Sequence, residues 1–190
     1  EGEVNQWNLF NLKFEREERK IVFISCEKVA QEWGWTNFSL SLLSSASFTE
    51  KIDELEINAS FPFEVASEFF IGVNPGGWRI DQRRLYWRLK NYEPNSNLTF
   101  SFASFSTWRE ILNLRRRINE SPLSGDLHSA LGKAYLDACR NERADIINVW
   151  GEKARIELEG AISLNPTLIG AYLNLADYYN IQSKLAKDIS

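Results

Sequence analysis

Apolar and polar positions along this 190-residue chain repeat at two different periods, and the change falls near residue 104. Before it, short segments rich in β-branched and aromatic residues recur at 4–14, 20–25, 38–43, 54–59, 69–73, 84–89 and 98–102. Turn formers separate several of them, as in Asn74-Pro75-Gly76-Gly77 and Glu93-Pro94-Asn95-Ser96-Asn97. Successive side chains of a strand point to opposite faces. In Leu85-Tyr86-Trp87-Arg88-Leu89 this period directs Leu85, Trp87 and Leu89 to a core, and Arg84, Tyr86 and Arg88 outward. Short strands with regular turn signals predict an antiparallel β-sandwich over 1–104.

Beyond residue 104 the period becomes helical. Thr107-Trp108-Arg109-Glu110 has the spacing of a capping box and predicts a helix over 107–119, halted before Ser121-Pro122. Leu127, Ala130, Leu131, Ala134, Tyr135 and Ala138 then fall at i, i+3, i+4, i+7, i+8 and i+11, a single apolar stripe. Residues 158–179 hold a helical pattern, an Asn165-Pro166 stop and a second helical pattern ending in Tyr178-Tyr179. Proline lacks an N–H and clashes with the preceding turn, so one helix must end there.

The spacings identify the joint. His128-x2-Leu131-Gly132-x2-Tyr135, then Ala154-x3-Leu158, Ala161 and Pro166, then Tyr172-x2-Leu175-Ala176-x2-Tyr179 follow one pattern. The helical half, 105–190, resembles the tetratricopeptide repeat, whose W-x2-L-G-x2-Y, A-x3-F and P positions these match. The resemblance implies a capping helix over 107–119, a long-helix repeat over 125–166 and a partial repeat over 168–187. It also implies a concave face, lined by first helices, that binds a protein or peptide partner. Lys133, Asp137, Asn174 and Asp177 are the candidate partner-binding residues. The match departs from the family once: His128 to Tyr172 spans 44 residues, ten more than the 34-residue unit. Ile146, Ile147, Val149 and Trp150 fall in the insertion, which predicts that both helices lengthen by about five residues, with Trp150 packed across the tip. One and a half repeats bury too little alone, so the first helix and the β half are expected to complete one rigid unit. In the β half, "LYWRLKNYEPNSNLTFSF" and "INASFPF" are similar to extracytoplasmic β-sandwich domains of bacterial surface or secreted proteins. That implies an extracytoplasmic setting, with the cytoplasm as alternative, and assigns no site residues.

Composition narrows the chemistry. Hydrophobic residues at 44% supply a core, and the net charge of −4 lacks the basic footprint of a nucleic-acid binder. No run of 18 apolar residues exists, so no membrane span is expected. The chain opens Glu-Gly-Glu and has no Met; the expectation is a piece of a longer protein whose start has been removed. Cys26 and Cys139 are expected as separate buried thiols. His128, the single histidine, occupies the repeat's Trp position and is expected to pack structurally. A Ser-His-Asp triad would have to use it. No phosphate loop, G-x-S-x-G, G-x-G-x-x-G or metal-ligand cluster appears, so no catalytic, cofactor-binding or metal residues are assigned and no cofactor is expected.

The favoured reading is therefore a non-enzymatic interaction or scaffold module. The alternative is a surface-polymer module, binding glycan or anionic wall polymer through Arg84, Tyr86 and Arg88. Two basic clusters prompt it, one at Arg79, Arg83, Arg84, Arg88 and Lys90, the other at Arg115-Arg116-Arg117. Trp33, Trp35 and Trp78 lie beside glycines and are expected to be buried. A hydrolase using two of the many carboxylates is the weakest alternative.

Overall fold

Among the described residues of the computed structural model, which are 34–40, 52–93, 97–140 and 142–189, six strands precede four helices. The strands expected at 4–14 and 20–25, together with Cys26 and Trp33, lie outside them. The strands are β1 (Trp35–Leu40), β2 (Ile52–Ser60), β3 (Phe70–Asn74), β4 (Arg79–Asp81), β5 (Arg84–Tyr92) and β6 (Leu98–Ala103). They form two antiparallel three-stranded sheets, ordered β1-β6-β3 and β2-β5-β4. Of the sandwich expectation, the described residues show the coarser part: two small antiparallel sheets followed by four helices.

The predicted alternation in β5 holds: Leu85 and Trp87 are buried, while Arg84 and Arg88 are exposed. β4 carries no strand signal in the sequence. It forms because Gln82 adopts φ 50°, closing a two-residue turn that pairs Asp81 with Arg84. β3 bends at a register shift between Ile71 and Asn74, where Gly72 holds φ 66°. A side chain there would be strained. β6 is buried along nearly its whole length, as expected of a central strand covered on both sides. Phe100 on one of its faces stacks on Phe38 at 4.9 Å and meets Trp87 of the other sheet at 6.1 Å. Ala103 pairs with Trp35, whose ring meets Trp150 of the helical half.

The helices are α1 (Phe105–Glu120), α2 (Gly125–Cys139), α3 (Ala144–Leu164) and α4 (Ile169–Ile189). The expected cap of α1 is corrected. Ser104, not Thr107, is the N-cap, and its hydroxyl oxygen accepts from the Thr107 N–H. Thr107 lies inside the first turn, and its Oγ accepts from Gly34 N–H at 3.2 Å, tying the helix start to β1. The lengthening expected of both helices falls unequally. α3 begins at Ala144, ten residues before Ala154, whereas α2 stops at Cys139, four after Tyr135. Residues 144–153 are therefore helical and belong to α3 alone.

α2 and α3 run antiparallel in close contact. A Cβ on Gly132 would lie 2.6 Å from Leu158 Cγ, and one on Gly125 would lie 3.1 Å from the Ala161 carbonyl. The other end of the pair is marked by Cys139 Sγ, 3.9 Å from the Ile146 carbonyl. α4 packs back along α3, with Tyr178 against Gly151 and Ala171 beside Leu158 and Ala161.

One hydrophobic core runs from the sheets into the helices. Trp150 shows how. Its ring lies 4.6 Å from Trp35 and 5.3 Å from Tyr135, and its Nε1–H donates to the Glu68 carbonyl at 3.2 Å. Trp108 on α1 packs on Phe69 at 5.4 Å and donates Nε1–H to the Glu64 carbonyl at 3.3 Å. Buried indole N–H groups need acceptors, and two helices find theirs in the same β2–β3 connection.

Candidate functional site

α2 and α4 lie side by side, and their outward residues include the four candidate partner-binding positions. Lys133 and Asp137 are one turn apart on α2 and pair with each other. Arg140 donates to Asp137 at 3.1 Å and reaches across to Asp177 on α4 at 2.6 Å. Three of the four candidate partner-binding residues are thus joined in one chain of charge. Asn174, one turn before Asp177, is half-buried at the same seam. Arg140 was missed in the sequence, although its place three residues after Asp137 is a helical ion-pair spacing. Its guanidinium is held still more firmly protonated, mainly by the bond to Asp137 and against the effect of burial.

Apolar and open positions flank these charges. Leu173 on α4 is 65% exposed. A Cβ added at Gly170 would meet nothing within 4 Å. The face therefore combines both charge signs, an exposed leucine and unfilled space. Exposed ion pairs of this kind are worth only about 0–1 kcal/mol each, so an incoming charged group can exchange with them at small cost.

A second polar cluster sits where the two halves meet. The Glu68 carboxylate accepts from both Arg115 terminal nitrogens and from Lys153 Nζ at 3.2 Å. Arg115 also bonds the Tyr135 hydroxyl and lies over the Trp108 and Tyr135 rings at 5.9 and 5.8 Å. The Arg115 hydrogen bond holds the Glu68 carboxyl below its usual range, outweighing burial. Burial pushes Tyr135 up to about 12 despite Arg115. Every polar group here is matched, so the cluster fastens α1, α2 and α3 to the β2–β3 connection and leaves little for a ligand. Nothing in the sequence marked Glu68, because its partners come from residues 47 and 85 positions away.

His128 carries a polar role that its apolar-looking position concealed. Nδ1 lies 2.7 Å from a Glu157 carboxylate oxygen and Nε2 lies 3.0 Å from the Pro122 carbonyl. Both partners only accept, so the imidazolium fits best. Burial lowers the imidazole's proton affinity, but Glu157 and the Pro122 carbonyl raise it further, leaving it above the ordinary value. Cys139 is buried, and desolvation pushes its thiol up to about 12; such a thiol stays protonated and unreactive.

On the outer face of the β2-β5-β4 sheet, the two candidate polymer-binding arginines are already engaged. Arg88 pairs with Glu54 at 2.7 Å and Glu56 at 3.1 Å, and Arg84 pairs with Asp81. Tyr86 is half-buried between Asn58 and Arg79 on the neighbouring strands. Of the tryptophans expected to be buried, Trp35 is buried within β1 and Trp78 is half-buried. No described helix is long and apolar enough to cross a membrane.

Comparison with family models, with curated proteins and with solved structures finds no match for this chain.

Proposed function

We propose that this protein is a non-enzymatic interaction module, part of a larger extracytoplasmic bacterial protein, and that the α2–α4 face receives a protein or peptide. We read the helical half as an extended tetratricopeptide-like hairpin with a partial second unit, and the two sheets as a sandwich that supports it. The observation that carries the reading is the ion-pair chain Lys133–Asp137–Arg140–Asp177, which spans two helices beside the exposed Leu173. It offers a peptide backbone-length row of alternating charge next to an apolar contact. The Glu68 cluster supports the rigidity such a surface needs, because it fixes the helices to the sheets.

Polymer binding by Arg84, Tyr86 and Arg88 is the weaker reading, since carboxylates on the same sheet already satisfy both arginines. The test is selection of binders from a displayed peptide library, followed by affinity measurement with Arg140→Glu. Loss of about tenfold in affinity is expected from removing two charge contacts. Selected peptides that bind Arg140→Glu unchanged, or co-sedimentation with wall polymer abolished by Arg88→Glu, would overturn the assignment.

A further inference from the structure

The described arginines of this protein fall into two groups. Arg84, Arg88, Arg115, Arg140, Arg143 and Arg155 each pair with a carboxylate. Among the described residues, no carboxylate lies within ion-pairing distance of Arg79, Arg83, Arg109, Arg116 or Arg117, and the last three project together from α1. Arg109 and Arg116 are seven residues apart, hence two turns and about 10 Å along one helix face. Phe105 and Leu112 fall on the same face by helical spacing, 45% and 43% exposed. Arg109 lies over the Phe105 ring at 5.9 Å, and Arg116 bonds Asn113 Oδ1 at 3.4 Å. A shallow depression is lined by Arg109, Leu112, Asn113 and Arg116. Glu120 follows one turn beyond Arg116, and Glu110 flanks the stripe without pairing to it.

The order along the face is therefore aromatic, cation, apolar, cation. From this we infer that the outer face of α1 docks an acidic amphipathic helix of a partner protein, with two carboxylates set two turns apart over Arg109 and Arg116 and a leucine between them on Leu112. Charge complementarity selects an acidic partner. The interleaved Leu112 and Phe105 select an amphipathic one, because a uniform polyanion gains nothing from apolar surface between its charges. This surface is separate from the α2–α4 face, and its fate does not decide that of the peptide site.

The experiment titrates the full chain with a helix-forming peptide bearing two glutamates two turns apart and leucines between them. A second peptide replaces the leucines with serine, and polyglutamate serves as the plain polyanion. The leucine peptide is expected to bind about tenfold more tightly than either control. The double variant Arg109→Glu/Arg116→Glu, whose fold is checked by circular dichroism, loses about tenfold of that affinity. Leu112→Ser brings the leucine peptide to the level of the serine peptide and leaves polyglutamate unaffected. The proposal is overturned if all three ligands bind alike, which would mark a simple polyanion surface. It is equally overturned if the leucine peptide does not bind, or binds the double variant as well as the unaltered chain.

Discussion

α2 and α4 share a spacing of small and aromatic residues but not its surroundings. In α2, Leu131 and Tyr135 are 2% exposed and Gly132 presses against Leu158. In α4, Leu175 sits partly in the core at the matching place, while Tyr172 and Tyr179 are 47% and 54% exposed and Ala176 is open. The same pattern is a packed interface in one helix and solvent-facing surface in the other. Periodicity states which residues share a face. Whether a neighbour covers that face is decided by the rest of the fold.

The largest expected effect concerns what completes the covered side. Trp150 joins α3 to β1 and to the β2–β3 connection, so Trp150→Ala is expected to cost about 3–5 kcal/mol, as for large core deletions. Chemical denaturation measures it. The helices and sheets should also lose structure in one transition, because the core cluster that spans both is interrupted. Two well-separated transitions, with the loss confined to the helices, would show that the halves stand independently.

The contrast between α2 and α4 is sharpened by one matched pair of changes. Gly132→Leu forces atoms into Leu158 and is expected to destabilise by about 1–3 kcal/mol. Ala176→Leu meets solvent and is expected within about 0.5 kcal/mol of the unaltered chain. Equal effects would break the comparison.

The smallest effect is electrostatic. His128 sits beside the α1–α2 joint with its proton affinity raised in the folded state. Its stabilising contribution is complete below the unfolded value of about 6.5 and is lost as pH rises through the higher folded value. Stability should therefore fall across that window, and His128→Gln should remove that component. Denaturation midpoints followed from about pH 5.5 to 8.5 check this, and an unchanged slope in the variant would refute it.

Much of the fold was legible because its signals are local. The alternation in β5, the stop at Pro166 and the stripe of α2 each depend on a few adjacent residues. β4 was not legible: Gln82-Arg83 is no turn signal, yet Gln82 takes a positive φ and closes the turn that pairs β4 with β5. The cap of α1 was displaced because Ser104 and Thr107 both carry hydroxyls, and the sheet edge decides which one meets the first turn. The candidate site was drawn only in part from the sequence. Lys133, Asp137 and Asp177 are candidates through the repeat resemblance, whereas Arg140 joins them only when α4 is laid beside α2. Glu68 depends on three helices converging and left no local trace. Charge clusters misled for the same reason. The β5 arginines look free in the sequence but meet carboxylates across the sheet, while Arg109 and Arg116 remain open on α1.

The most direct test of the central claim is a nuclear magnetic resonance titration of the isotope-labelled chain with a selected peptide. The account predicts that backbone shifts concentrate at Lys133, Asp137, Arg140, Leu173 and Asp177, and that the peptide leaves intact. Shifts confined to the outer face of β5, or a peptide cleaved or chemically altered during the titration, would contradict it.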